Sequence, residues 1–213
     1  LKDLSLMHSN GTHDGGKGYL LRLFEDSWTL ENCSFRYADF AGIFVKGIHH
    51  QILGCNITYA GDVGIDGHNS GAAHNYVWYD SAPHMDLTID GCNISYNNYR
   101  NFDKNWHAGG MKLIPAIRGA TIQNNRVENN FGAGIWFDNP LGENKILNNT
   151  IVGNWQGIFY EIAREVSTMS FGGLICNNLV IRTERQGIYV SASSNTVVQN
   201  NTVVDCWAGI VLH

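Results

Sequence analysis

The sequence predicts an all-β chain: a right-handed, single-stranded parallel β-helix, a solenoid of about seven to eight coils in which residues 1–213 form one domain. Two marks that recur in step predict it. The first is Gly followed by an apolar residue, at Gly42-Ile43, Gly64-Ile65, Gly110-Met111, Gly134-Ile135, Gly157-Ile158, Gly187-Ile188 and Gly209-Ile210, with spacings of 22, 46, 24, 23, 30 and 22 residues. The second lies eight or nine residues before most of those Gly, at Cys33, Cys55, Cys92, Asn125, Asn149, Asn178 and Asn201, each followed two residues later by an apolar side chain. A third observation excludes the main rival. The segments between marks are short, rich in β-branched residues and free of 3.6-residue periodicity, so helical repeats do not fit.

The first coil is degenerate and runs from Leu4 to Leu23. From there each coil carries three short strands, none of which can bury its apolar side alone. Stacking each strand in parallel on its equivalent one turn away buries that side. The second mark fits an inward ladder at a bend: a buried Asn hydrogen-bonds backbone and the next Asn, and Cys fills the same slot as a small hydrophobe. All five Cys are therefore expected as free thiols, with Cys33, Cys55 and Cys92 one coil apart. Asn56-Ile57-Thr58 and Asn93-Ile94-Ser95 match the glycosylation pattern but read as coil turns.

Composition narrows the functional classes. Apolar residues make up 44% and no run of 18 occurs, so the chain is neither disordered nor built to cross a membrane as a helix. Only 14 Lys and Arg against 19 acids, a net charge of −5, leave no basic footprint for nucleic acid. No signal segment starts the chain; a secreted or periplasmic setting is the expectation, and buried thiols are compatible with it. The chain starts and ends inside coils, so further segments capping the solenoid are expected.

Side chains alternate along a strand. If the residue after each marker Gly points inward, so does the one two further on, giving Ile43/Val45, Met111/Leu113, Ile135/Phe137, Ile158/Tyr160, Ile188/Val190 and Ile210/Leu212. The outward positions are then Phe44/Lys46, Asp66/His68, Lys112/Ile114, Trp136/Asp138, Phe159/Glu161, Tyr189/Ser191 and Val211/His213. A plain solvated sheet shows scattered Ser, Thr, Lys and Gln. Here Trp136, Phe159 and Tyr189 form one file, a platform for the apolar faces of sugar rings, and Asp138 and Glu161 stand in the next. Excess residues at Gly67–Asp86 (with Trp78), at Asn97–His107 (with Arg100, Lys104, Trp106 and His107) and at Ile162–Phe171 flank this face and can wall a groove.

Asp138 and Glu161 are 23 residues apart, at one position on adjacent coils. Two acids held about 4.8 Å apart repel unless one keeps its proton. Glycoside hydrolysis requires such a pair, one carboxylate and one acid. Trp136, Lys112, Phe159, Tyr189, His107, Trp106, Asp66 and His68 are the candidate substrate contacts. Asp66 and His68, with Lys112 two rungs away, suit hydroxyls or a carboxylate. The rival reading pairs both acids with Lys112 and Arg164 as edge charges. Nine His, including His49, His50, His68 and His74, show no helical i, i+4 pair and no Cys partner, so no metal site is predicted. No phosphate loop leads a strand into a helix, and no cofactor is predicted.

The stretches His107-Ala108-Gly109-Gly110-Met111-Lys112, Gly134-Ile135-Trp136-Phe137-Asp138 and Gly157-Ile158-Phe159-Tyr160-Glu161 resemble a group of β-helical glycoside hydrolases. That group includes retaining β-xylosidases and related fucosidase- or xylanase-like enzymes. The resemblance spans roughly residues 98–163 and implies Asp138 as nucleophile and Glu161 as acid/base. Members are typically longer, with capped ends and often an added β-sandwich, and their sugar-choosing loops diverge freely. Two alternatives stay open: a polysaccharide lyase or uronate epimerase, with Lys112, His68 or His107 as base or charge neutraliser, and a glycan-binding β-helix without catalysis. Fold alone does not choose among the three.

Overall fold

The computed structural model describes residues 1–11, 18–69, 83–164 and 170–213. Its strands, β1 (Ser5–Met7) to β23 (Ala208–Leu212) in chain order, number twenty-three. They form three parallel sheets of eight, eight and seven strands, each sheet taking every third strand. This is the right-handed parallel β-helix of seven to eight coils, and the described residues include no α-helix. The degenerate first coil is present as β1 and β2 (Leu21–Leu23).

The sheet that matters for function runs β2, β5 (Ala41–Lys46), β8 (Val63–His68), β11 (Gly109–Leu113), β14 (Ala133–Asp138), β17 (Gln156–Glu161), β20 (Gln186–Ser191) and β23. Its register is the one the marker Gly imply: Ile135 pairs with Ile158, Trp136 with Phe159 and Asp138 with Glu161. The marker Gly has a steric cause. A Cβ at Gly42, Gly64, Gly110, Gly134, Gly157 or Gly187 would lie 2.2–2.9 Å from the carbonyl oxygen of the next marker Gly.

The inward residues fill one core, with Ile43, Ile65, Ile135, Phe137, Ile158 and Tyr160 all inaccessible to solvent. Ile210 and Leu212 keep the inward register, opposite Ile188 and Val190. They stand on the last rung, which has a neighbour on one side only, and are 49% and 70% exposed.

The Cys and Asn ladder sits where predicted. Backbone N–H groups of Cys33 and Cys55 point at the sulfurs of Cys55 and Cys92, at 3.4 and 3.3 Å. The ladder then becomes polar: Asn125, Asn149, Asn178 and Asn201 each accept both the backbone and the side-chain N–H of the preceding rung where that rung is Asn, at 2.9–3.0 Å. The residue before each ladder position is left-handed, as Asn32, Gly54, Gly91, Asn124, Asn148, Asn177 and Asn200. Gly and Asn tolerate that conformation best. A second ladder, Asn97–Asn130–Asn154, holds the next bend. Its signal was an Asn five residues after the first ladder position. All five Cys are free.

Two expectations are corrected. Asn56 and Asn93 open strands β7 (Asn56–Thr58) and β10 (Asn93–Ser95) rather than turns, and Asn93 donates to Asn56 across the rungs. Lys112 lies on the rung next to Asp66, not two rungs away, because one long coil separates them in sequence. Trp78 and His74 lie outside the described residues.

Candidate active site on the outer face

Three of the predicted contacts come together with one of the predicted catalytic acids. Trp136, Phe159 and Tyr189 stack in file, with centroids 5.1 Å apart at each step and interplanar angles of 28° and 4°. With Glu161 they line a cleft of about 250 Å³. Parallel register one residue per rung puts identical positions of β14, β17 and β20 in line. The leading wall is Lys104, from the 97–107 excess named in the sequence, with Asn105, Trp155 and Arg185, which were not singled out there. Trp155 lies between two cations, Lys104 Nζ at 5.2 Å and Arg185 Cζ at 5.1 Å from its ring centroid. Trp155 and Arg185 each stand two residues before a marker Gly, a column the sequence offered and the strand alternation did not draw on.

The two acids occupy different surroundings. Lys112 Nζ lies 2.8 Å from Asp138 Oδ2, donates to the Trp106 carbonyl at 2.5 Å, and sits 3.5 Å from the Trp136 ring centroid. Lys112 is only 4% exposed, so its ammonium serves these partners behind the cleft and not an open binding surface. Glu161 is half-buried and accepts the Trp136 indole N–H at 2.8 Å. Burial pushes its carboxyl above the ordinary value, and the nearby Asp138 charge adds to that. The indole bond and the Lys112 charge pull the other way without winning. Arg164, the other cation of the rival reading, donates to Asn139.

Trp136 itself is only 3% exposed, one face being covered by Lys112. The open platform is therefore Phe159 and Tyr189, and Trp136 orients Glu161. This arrangement can hold one carboxyl protonated beside a second that is matched to an ammonium.

The remaining candidates gather upstream. His107 Nδ1 lies 2.6 Å from Asp62 Oδ2, and His107 Nε2 lies 3.4 Å from Asp66 Oδ1. His68 Nε2 lies 2.9 Å from the same Asp66 oxygen. Burial alone would lower the His107 pKa. The hydrogen bonds and charges of Asp62 and Asp66 outweigh it and raise the pKa to about 9, so the ring is an imidazolium at neutral pH. Asp66 is held well below the usual carboxylate range: burial opposes this, but the two His bonds prevail. Trp106, 76% exposed, lines a surface cleft with Asp62 and His107, and its ring centroid lies 5.8 Å from Lys112 Nζ. Asp62 was missed; it too lies two residues before a marker Gly. Among the described residues no group of three or more His, Cys, Asp or Glu is placed to hold a metal ion.

A family model described as a right-handed β-helix region matches residues 20–172. Neither a curated protein nor a solved structure gave a match.

Proposed function

The chain belongs to the right-handed β-helix family, and we propose that within it this protein is a glycoside hydrolase acting on a poly- or oligosaccharide with retention of configuration. The observation that carries this is the Asp138–Glu161 pair: equivalent positions on adjacent rungs in unlike environments. A retaining mechanism needs its carboxyls about 5–5.5 Å apart, whereas an inverting one needs about 6.5–9.5 Å to admit a water. Adjacent rungs start near 4.8 Å.

The roles follow from the surroundings. Asp138, the shorter side chain, attacks the anomeric carbon, with Lys112 matching its charge. Glu161 keeps its proton because it is desolvated and faces a second acid, and donates it to the leaving oxygen. As the conjugate base it then takes a proton from the water that releases the sugar from Asp138. Phe159 and Tyr189 support the ring face, and the Trp136 indole fixes the direction of Glu161.

A lyase needs a base beside a uronate and a group that neutralises the uronate carboxylate; Lys112 is already matched to Asp138 and His107 to two aspartates. The deciding experiment screens aryl glycosides alongside absorbance at 235 nm for unsaturated uronates. Glycoside release abolished by Asp138→Asn and by Glu161→Gln supports hydrolysis. A 235 nm signal that survives both substitutions overturns it.

A further inference from the structure

A second cleft, of about 250 Å³, opens on the upstream side of Trp106 and is lined by Phe40, Asp62, Phe102, Asp103, Trp106 and His107. Three aromatic side chains wall it, with two acids and one imidazolium completing the lining. Asp62 is only 2% exposed. Its Oδ2 takes the His107 bond, but its Oδ1 accepts no hydrogen bond from the described residues. A buried carboxylate oxygen without a donor is a costly arrangement, on the order of 1–3 kcal/mol or more, unless a ligand or solvent donor meets it.

The walls are held in place. Phe40 stacks on His107 at 5.5 Å and meets Phe102 edge-on at 6.2 Å. Asn98 clamps the loop through both the N–H and the carbonyl of Phe102, and through the Phe131 carbonyl. Arg100 ties the loop to Asp39 by an ion pair. The lining carries two carboxyl side chains, Asp62 and Asp103, against one imidazole, His107, so its acids outnumber its basic groups. Such a site takes hydroxyl donors on an apolar ring face and repels carboxylates.

We propose that this cleft is a second sugar-binding site, taking a neutral pyranose unit of the same chain that Glu161 cleaves, with a ring hydroxyl donating to Asp62 Oδ1. The proposal rests on the glycosidase reading for its choice of ligand. From the rung of Asp62 to that of Phe159 is three steps, about 14 Å. That separation spans several sugar units, so the substrate is an oligosaccharide bound along the solenoid axis past Trp106.

The test is NMR of tryptophan indole N–H groups in Glu161→Gln protein, where the ligand is not consumed, titrated with xylotetraose, cellotetraose and trigalacturonate. Trp106 reports the upstream cleft and Trp136 the downstream one. A neutral tetrasaccharide should shift both signals. Asp62→Asn and, separately, Phe102→Leu should weaken the Trp106 response at least about tenfold. If Trp136 responds and Trp106 does not, the second site is wrong and the glycosidase reading stands. If Trp106 responds while Trp136 stays still and the unmodified protein hydrolyses nothing, the site stands as a binding site and the glycosidase reading falls. A preference of Trp106 for trigalacturonate overturns the neutral assignment, and silence from both signals overturns both readings.

Discussion

The upstream and downstream halves of this solenoid use the same coil differently, and both the bends and the outer face change character near β11. Upstream, the inner ladder is Cys33, Cys55 and Cys92, and the outer side chains of Asp62, His107, Asp66 and His68 are bonded to one another. Downstream, the ladder is Asn125, Asn149, Asn178 and Asn201, and the outer face carries two acids of which one has a cation at contact distance. Groups bonded to one another stabilise and position. An unequal pair on adjacent rungs, one acid with an ammonium and the other half-buried with its pKa raised, is the arrangement the proposed acid catalysis draws on.

The comparison breaks most easily at the acids. Asp138→Asn and Glu161→Gln should each lower turnover at least about 10³-fold with folding intact, since neither acid completes the reaction alone. Steady-state kinetics on an aryl glycoside checks this, with circular dichroism as the control on folding. Comparable losses from Asp66→Asn would move the chemistry upstream and undo the distinction.

The upstream network should show itself in stability. His107 has a folded pKa of about 9 against an ordinary value near 6.5. A raised pKa means its contribution is fully present below the unfolded value and is lost as pH rises through the folded one. Unfolding free energy should therefore fall by no more than about 3 kcal/mol between pH 6.5 and pH 9. Urea titrations across that window test it, and His107→Gln should flatten the decline.

The ladders sharpen the contrast between the halves. Asn149→Ala strips donors or acceptors from Asn125, Asn178 and the Ile122 carbonyl, and should cost about 2–3 kcal/mol. Cys55→Ala, in the equivalent slot, removes a small buried hydrophobe and should cost about 1 kcal/mol. Equal losses in chemical denaturation would mean that the two ladder chemistries are interchangeable.

The smallest effects are those of Glu161 titration on melting and on the pH profile. Its folded pKa is raised, so the stability it lends is present below the ordinary carboxylate value and lost as pH rises through the raised one. Glu161→Gln should therefore melt higher than the unmodified protein at neutral pH, with the gap closing in acid. Trp136→Phe removes a hydrogen bond that favours the charged carboxylate. The basic limb of the kcat/KM profile should move to higher pH. A limb that stays put would make Trp136 a packing residue only.

The fold was legible because a parallel solenoid repeats its constraints. Each marker Gly before Gly209 meets the backbone of the next coil, and each ladder Asn accepts from the rung before it, so period and register are written many times. The acid pair was legible for the same reason, since one register places Trp136 on Phe159 and Asp138 on Glu161. What escaped was whatever the repeat does not encode. That Trp136 is covered by Lys112, and that Lys112 is held by the Trp106 carbonyl, depends on the path of the 97–107 loop. Asp62, Trp155 and Arg185 stood in a column two residues before the marker Gly, where the chain enters the sheet and strand alternation gives no guide.

Retention of configuration is what the adjacent-rung placement of Asp138 and Glu161, with strands about 4.8 Å apart, favours. It is tested most directly by proton NMR of the first sugar released from an active glycoside, before mutarotation sets in. The account predicts a product anomer with the configuration of the substrate, formed through an ester on Asp138; a first product of inverted configuration would contradict it.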